Sequence, residues 1–282
     1  MTIRRRAFHK PRKILQEVRR KVDEVREKKG RIDYLSFVPD GEPTLELNLG
    51  KQISTLKQVG IPIAVLTNAS MIWQEAVKED LLAADLVSLK VDALGEDLWR
   101  RVDRPHKDLR LENILEGIRD FSKEFKGTII SETMLIGGID YSDQFERIAE
   151  FLRNLKGLDM AYVAAPNRPP TEEWVRPAKE EVMNSAFQVF SQRLGPNRVE
   201  WLTRHEGTGF TTTGDVEEDL LSIVAVHPMR EEALEEFMRG AGADWRTVEE
   251  LLQKGKLKKL TYGGNTYFAR KMPAEEPKRS NS

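Results

Sequence analysis

The sequence contains no cysteine in its 282 residues. That excludes disulfides, thiolate nucleophiles, cysteine-based zinc sites and thiolate-ligated iron–sulfur clusters within the chain. Histidine is scarce too: His9, His106, His205 and His227 are far apart and suggest no metal-ligand spacing. No apolar run reaches the length of a membrane-spanning helix, and no signal-peptide pattern is visible. The Arg-rich start, Met1 to Lys13, has something of a transit peptide, but it continues into a helix of both charges, so a cytoplasmic location is expected. Neither charge sign dominates: 45 Lys/Arg stand against 46 Asp/Glu. Nothing in that balance draws the whole chain to nucleic acid or to an anionic membrane.

What is present is an alternation of helical and strand patterns. Pro11 suits a first helical turn, and Ile14, Val18, Val22 and Val25 recur on one face before Gly30. Strand-like runs follow at Ile32–Val38, Ile61–Leu66, Leu86–Val91, Thr128–Ile136, Met160–Ala165 and Val199–Leu202. Between them lie helical patterns through Leu49–Val59, Ile72–Ala84, Leu111–Phe125, the segment after Ser142 (read as an N-cap), and Val182–Leu194. Strands of continuous apolar character spaced by helices predict a parallel sheet covered by helices. In such folds sites are built at the strand C-terminal ends. After Gly214 the pattern changes to three short helices and a hairpin across Gly263-Gly264, which predicts a winged helix-turn-helix module. The expected division is 1–213, 214–271 and a Pro/Glu/Lys/Ser-rich tail, 272–282, expected to be disordered.

Several residues interrupt the apolar pattern where a site would lie. In the segment Tyr34–Leu45 a strand runs into a Gly-Glu-Pro turn. Gly41 permits close approach to the backbone, Glu42 offers a carboxylate to something cationic or hydrogen-donating, and Pro43 fixes the turn. Such turns are also common as plain structure. Lys90 and Asp92 share a face of one strand by its two-residue period, as a polar-ligand site or as a buried ion pair. Glu132 and Met134 share one face of the next strand, Thr133 and Leu135 the other, and the pattern leaves open which face points inward. Arg104 and His106 flank Pro105. Arg168 lies between prolines and is a weak candidate for gripping an anionic group. His205 and Glu206 read better as solvated charges than as an acid–base pair.

Taken together these segments resemble the radical S-adenosylmethionine (SAM) superfamily. The turn at Gly41-Glu42-Pro43 is similar to the family's GGEP-type motif, with Asp40 in place of its first glycine. Ile63–Ser70, Val87–Ala93, Arg101–His106, Glu132–Leu135 and Ala165–Pro170 resemble, in order and spacing, successive strands and loops of an iron–sulfur oxidoreductase branch. That branch is related to wyosine-type tRNA-modifying enzymes, and some members carry a C-terminal winged helix. The resemblance runs over roughly residues 11–271. It implies a partial parallel (β/α) barrel lacking its first strand, followed by the winged helix. It also implies SAM and a [4Fe–4S] cluster as cofactors. SAM would be positioned by Gly41, Glu42 and Pro43 in a pocket lined by Thr67, Asn68, Lys90 and Asp92, with Arg104, His106 and Arg168 as weaker substrate contacts.

The family's Cys-x3-Cys-x2-Cys motif, which holds the cluster, has no counterpart here. The first helix resembles the one that follows that loop, so an N-terminal truncation is expected, and the chain as written is not expected to perform radical chemistry. An exposed edge at Ile32–Val38 would then make it poorly soluble or marginally stable. The full-length form would need an electron donor and a substrate, for which RNA is a candidate. The alternative is a cysteine-free adaptor whose winged helix binds nucleic acid or a protein. Residues 215–271 carry 11 Asp/Glu and nine Lys/Arg, and only the hairpin is basic, which favours protein docking or a structural cap over nucleic acid.

Overall fold

The computed structural model describes residues 2–38, 41–170, 172–202, 215–226, 228–262 and 264–271. The chain divides into two compact units, Met1–Asn167 with Glu172–His205, and Arg168–Thr171 with Glu206–Ser282. The boundary expected at 213/214, His205–Glu206, His227, Asp40 and the 272–282 tail all lie outside the described residues.

In the first unit, α1 (Pro11–Glu27) precedes β1 (Leu35–Phe37), α2 (Leu49–Leu56), β2 (Ile63–Thr67), α3 (Glu75–Leu82) and β3 (Leu86–Lys90). Then come α4 (Glu96–Val102), α5 (Leu111–Glu124), β4 (Thr128–Met134), α6 (Phe145–Arg153), β5 (Leu158–Ala164), α7 (Glu180–Leu194) and β6 (Val199–Leu202). All neighbouring strands pair in parallel, in the order β1-β2-β3-β4-β5-β6. Sequential order has a physical consequence. Right-handed crossovers that never reverse direction place their helices on one face of the sheet. The strands carry that asymmetry: Val65, Val87, Leu89, Ile129 and Val163 are at most 1% exposed, on one face. Leu66, Lys90, Glu132, Met134 and Tyr162, on the opposite face, are only partly buried. Glu132 and Met134 therefore share the face of Lys90, while Thr133 is buried and donates to the Val91 carbonyl.

Local structure departs from the sequence reading in four places. β1 is three residues long rather than seven; Arg31 and Asp33 pair with each other instead of extending the ladder. The helix expected from Ile72 begins at Glu75, because Ala69 takes a left-handed φ of 59° and turns occupy the following residues. Ser142 does not cap α6. Its N–H bonds the Asp140 carboxylate, and the helix starts behind Gln144 without a side-chain cap. Helix α4 has no counterpart in that reading, because Leu98, Trp99 and Val102 are its only apolar residues among four charged ones.

The second unit contains α8 (Val216–Val226), β7 (Met229–Arg230), α9 (Glu231–Gly240), α10 (Arg246–Gln253), β8 (Leu257–Tyr262) and β9 (Asn265–Arg270). The strands form an antiparallel sheet in the order β7-β9-β8. Leu220, Leu234, Phe237, Val248, Leu251 and Phe268 make its own core. Tyr262 faces Asn265 across the two-residue turn, where Gly264 has φ 79°. Three helices and a small antiparallel sheet are compatible with a winged domain. Among the described residues, no helix is long and apolar enough to cross a membrane.

Candidate functional site

Sheet register brings the first group of candidate residues together. β1 and β3 flank β2, so the turn after β1, the Thr67–Asn68 turn after β2 and the Lys90–Asp92 segment after β3 lie side by side at one sheet edge. The Glu42 carboxylate does not stand free there. Its Oε1 accepts from the Thr44 N–H at 3.1 Å, the Thr44 hydroxyl at 2.7 Å and the Thr67 hydroxyl at 2.5 Å, and its Oε2 accepts from the Asn68 N–H at 2.8 Å. Three of these bonds converge on Oε1 and one on Oε2, so Glu42 staples the β1 turn to the end of β2 while Oε2 keeps one lone-pair site. The carbonyls of Glu42 and Pro43 accept from Leu45 and Glu46 within the turn. The Gly41 carbonyl accepts no hydrogen bond among the described residues. Gly41 itself has φ 153°, and the space where a Cβ would stand is open.

A buried carboxylate that the sequence reading passed over, Glu46, supports this turn from behind. It accepts from the backbone N–H groups of Phe8, His9 and Asn48. Burial alone would raise its pKa, but these N–H donors outweigh that and hold it below the usual carboxylate value. Arg5 adds bonds to the carbonyls of Thr44 and Glu46 and an ion pair with Asp80. Residues 5–9 are thereby strapped across the turn, and Phe8 and His9 join Gly41, Glu42 and Pro43 around a cavity of about 380 Å³.

A second cavity, of about 340 Å³, lies at the end of β3. Asn68, Ser70, Lys90, Asp92 and Asp103 supply its polar wall, and Trp99, Leu111 and Ile114 are among its apolar residues. The Asp92 side chain is 1% exposed. Its Oδ1 accepts from the Met134 N–H at 2.7 Å, and its Oδ2 lies 3.1 Å from the Lys90 ammonium. Glu132 is 3.4 Å from the same ammonium. Burial pulls the Lys90 pKa down, but the charges of Asp92, Glu132 and Asp103 more than reverse that, and the net shift is upward. The ion pair and the polar cavity wall, read above as alternatives, are thus the same residues.

The weaker candidates are placed elsewhere. Arg104, with a left-handed φ of 49°, is ion-paired to Glu172. His106 accepts the Asp108 N–H at its Nδ1. Arg168 belongs to the second compact unit. None of the three lines either cavity.

Comparison with known proteins places this geometry. The model of the radical SAM superfamily matches residues 3–152, more than half of the chain. A UPF0026 protein of Methanocaldococcus jannaschii is 41% identical over 281 residues, covering 99% of this chain and 87% of that protein. A UPF0026 protein of Synechocystis sp. is 35% identical over 139 residues, covering 49% of this chain and 52% of that protein. Among solved structures, TYW1 with a lysine–pyruvate adduct bound superposes with a TM-score of 0.50 at 16% identity, over 66% of this chain and 63% of that one, a likeness of fold. The extent of the family match and the near full-length relative lead to one conclusion: the chain belongs to the radical SAM superfamily.

Proposed function

We propose that this chain binds S-adenosylmethionine at the C-terminal edge of β1–β3. The observation that carries the reading is the side-by-side placement of the Gly41–Pro43 turn, Thr67–Asn68 and Lys90–Asp92 beside two cavities. Glu42 acts as the staple that shapes the turn. The Gly41 carbonyl is the acceptor for an ammonium group, and the Asn68 amide and Lys90 ammonium are donors on the neighbouring wall. Cleavage of SAM by the family's general chemistry requires an electron from a [4Fe–4S] cluster. The residues here do not fit that cluster. The chain has no cysteine, and among the described residues no three His, Asp or Glu side chains are grouped to hold a metal. Radical chemistry would need thiolates from outside these 282 residues, so no catalytic step is assigned to the chain itself.

Calorimetric titration of the purified chain with SAM tests the reading. One site per chain is expected. Gly41→Val should weaken it about tenfold, about 1.4 kcal/mol, because the branched side chain would occupy the open space beside the turn. Absence of binding at millimolar SAM would overturn the assignment. Anaerobic incubation with iron and sulfide should leave the chain without a cluster chromophore, and stoichiometric iron would overturn the argument from its ligands.

A docking role for the C-terminal unit is the second reading. Lys254, Lys256 and Lys259 are ion-paired with Glu250, Glu217 and Glu231. Part of the basic charge that would meet phosphate is thus already paired within the unit, which favours a protein partner. Salt-sensitive binding of a generic RNA hairpin at physiological salt would reverse that preference.

A further inference from the structure

The overall balance of charge hides a local excess. Residues 1–16 carry six Lys/Arg and no Asp/Glu, and the segment is held against the body of the first unit. Ile3 and Arg5 are half-buried, and Arg5 bonds the Thr44 and Glu46 carbonyls and pairs with Asp80. The Arg6 N–H bonds the Leu45 carbonyl, the Arg6 carbonyl accepts from Leu47, and Glu46 fixes the N–H groups of Phe8 and His9. In an extended segment alternate side chains face opposite ways. Arg4, Arg6 and Phe8 are accordingly exposed, spaced by about 7 Å along the strap. Phe8 is 56% exposed, an aromatic ring presented to solvent on a pinned backbone.

Beyond His9 the excess continues. Lys10 and Arg12, at the start of α1, and Lys51, on α2, line an open cavity of about 800 Å³ together with Ser54 and Thr55. Glu79 and Asp80, from α3, are its acidic residues, and Asp80 is already paired with Arg5. Among the described residues, the side chains of Arg4, Arg6, Lys10, Arg12 and Lys51 make no ion pair and no hydrogen bond. The C-terminal hairpin is the opposite case, with Lys256 and Lys259 tied to Glu217 and Glu231. We propose that the strap and the cavity beside it dock single-stranded nucleic acid. The five unpaired cations meet phosphates, and Phe8 offers its face to one unpaired base. A cationic track with an interposed aromatic holds single strands without reading their sequence. A duplex keeps its bases stacked and gives Phe8 no partner. A membrane surface calls for a broad apolar stripe, whereas on the strap a single large ring interrupts the cations. The docking surface does not depend on what the cavity beside Gly41–Pro43 holds.

Fluorescence anisotropy of labelled oligo(U) and oligo(dT) with the full chain, titrated with salt, tests this. Both should bind, and an RNA hairpin of the same length should bind more weakly. The logarithm of the affinity should fall against that of salt with a slope of at most about 3.5, about 0.7 for each of the five cations. Lys10→Gln combined with Arg12→Gln should reduce that slope by about 1.4. Phe8→Leu should weaken binding about tenfold, the loss of one stacked base, with the slope unchanged. All three side chains are exposed, so the melting temperature should not change in either variant. Lys258→Glu with Lys259→Glu, on the C-terminal hairpin, should leave binding as it is. No binding at low salt, binding indifferent to the Lys10 and Arg12 substitutions, or binding lost with the hairpin lysines overturns the proposal. So does a hairpin that binds as tightly as the single strands, Phe8→Leu that binds as the parent does, or a preference for phosphatidylserine vesicles over both oligonucleotides.

Discussion

Two carboxylates stand at the ends of β1 and β3, on either side of β2, and they are held in opposite ways. Glu42 is surrounded by four hydrogen-bond donors, all from its own turn and from the end of β2. Asp92 is more deeply buried, yet one of its oxygens accepts no placed hydrogen bond and has the Lys90 ammonium 3.1 Å away as its counter-charge. The first is held in place by its own chain neighbourhood. The second depends on the charge states around it. The residue that stands out most in the sequence is therefore a scaffold, and the charge balance of the site lies with Lys90 and Asp92.

That contrast can be broken most forcefully at Glu42. Replacement by Ala leaves Thr67 and the Asn68 N–H without their acceptor, and should cost about 3–5 kcal/mol in chemical denaturation, since bonds to a charged group are each worth about 1.5–3 kcal/mol. Were Glu42→Ala as stable as the parent, the staple would be wrong. Next comes Gly117, in α5, where a Cβ would sit 2.7 Å from the Trp73 backbone. Gly117→Ala should cost about 1–3 kcal/mol by overpacking, and should disturb the β3 cavity that α5 lines while sparing the 41–43 turn. Calorimetric melting with SAM present and absent separates the two.

Glu46→Gln sharpens the comparison through pH. The folded pKa of Glu46 lies below its ordinary 4.5, so its contribution is present above that value and is lost as pH falls through the folded one. The parent should exceed the variant by about 1–2 kcal/mol near pH 7, and the gap should close in acid. Asp103 has the opposite sign: burial and then the Asp92 charge raise its pKa, so folding is less favoured as pH rises through the folded value. The smallest effect belongs to the second unit: Lys259→Ala removes an exposed pair with Glu231 and should change stability by about 0.5 kcal/mol or less.

The parallel sheet was legible because β2 to β5 are short apolar runs between helical patterns, and such runs have few other ways to be buried. The edge was less so: Ile32–Val38 has strand composition throughout, but only Leu35–Phe37 finds a partner. The juxtaposition of Thr67–Asn68 with the Gly41–Pro43 turn and with Lys90–Asp92 followed from the strand order. The arrival of Asp103 in the same cavity wall as Asp92 did not, because it follows α4, and a short charged helix has too little periodicity to announce itself. Glu46 was hidden for a related reason: its partners are backbone N–H groups near residue 8, and no side-chain pattern records them.

Lys90 carries a further consequence. An amine attacks a carbonyl only after giving up its proton, and the carboxylates around Lys90 hold that proton firmly. This lysine is accordingly a poor nucleophile: in the folded chain, borohydride trapping with a small α-keto acid should label surface lysines such as Lys51 and Lys258 and pass over Lys90.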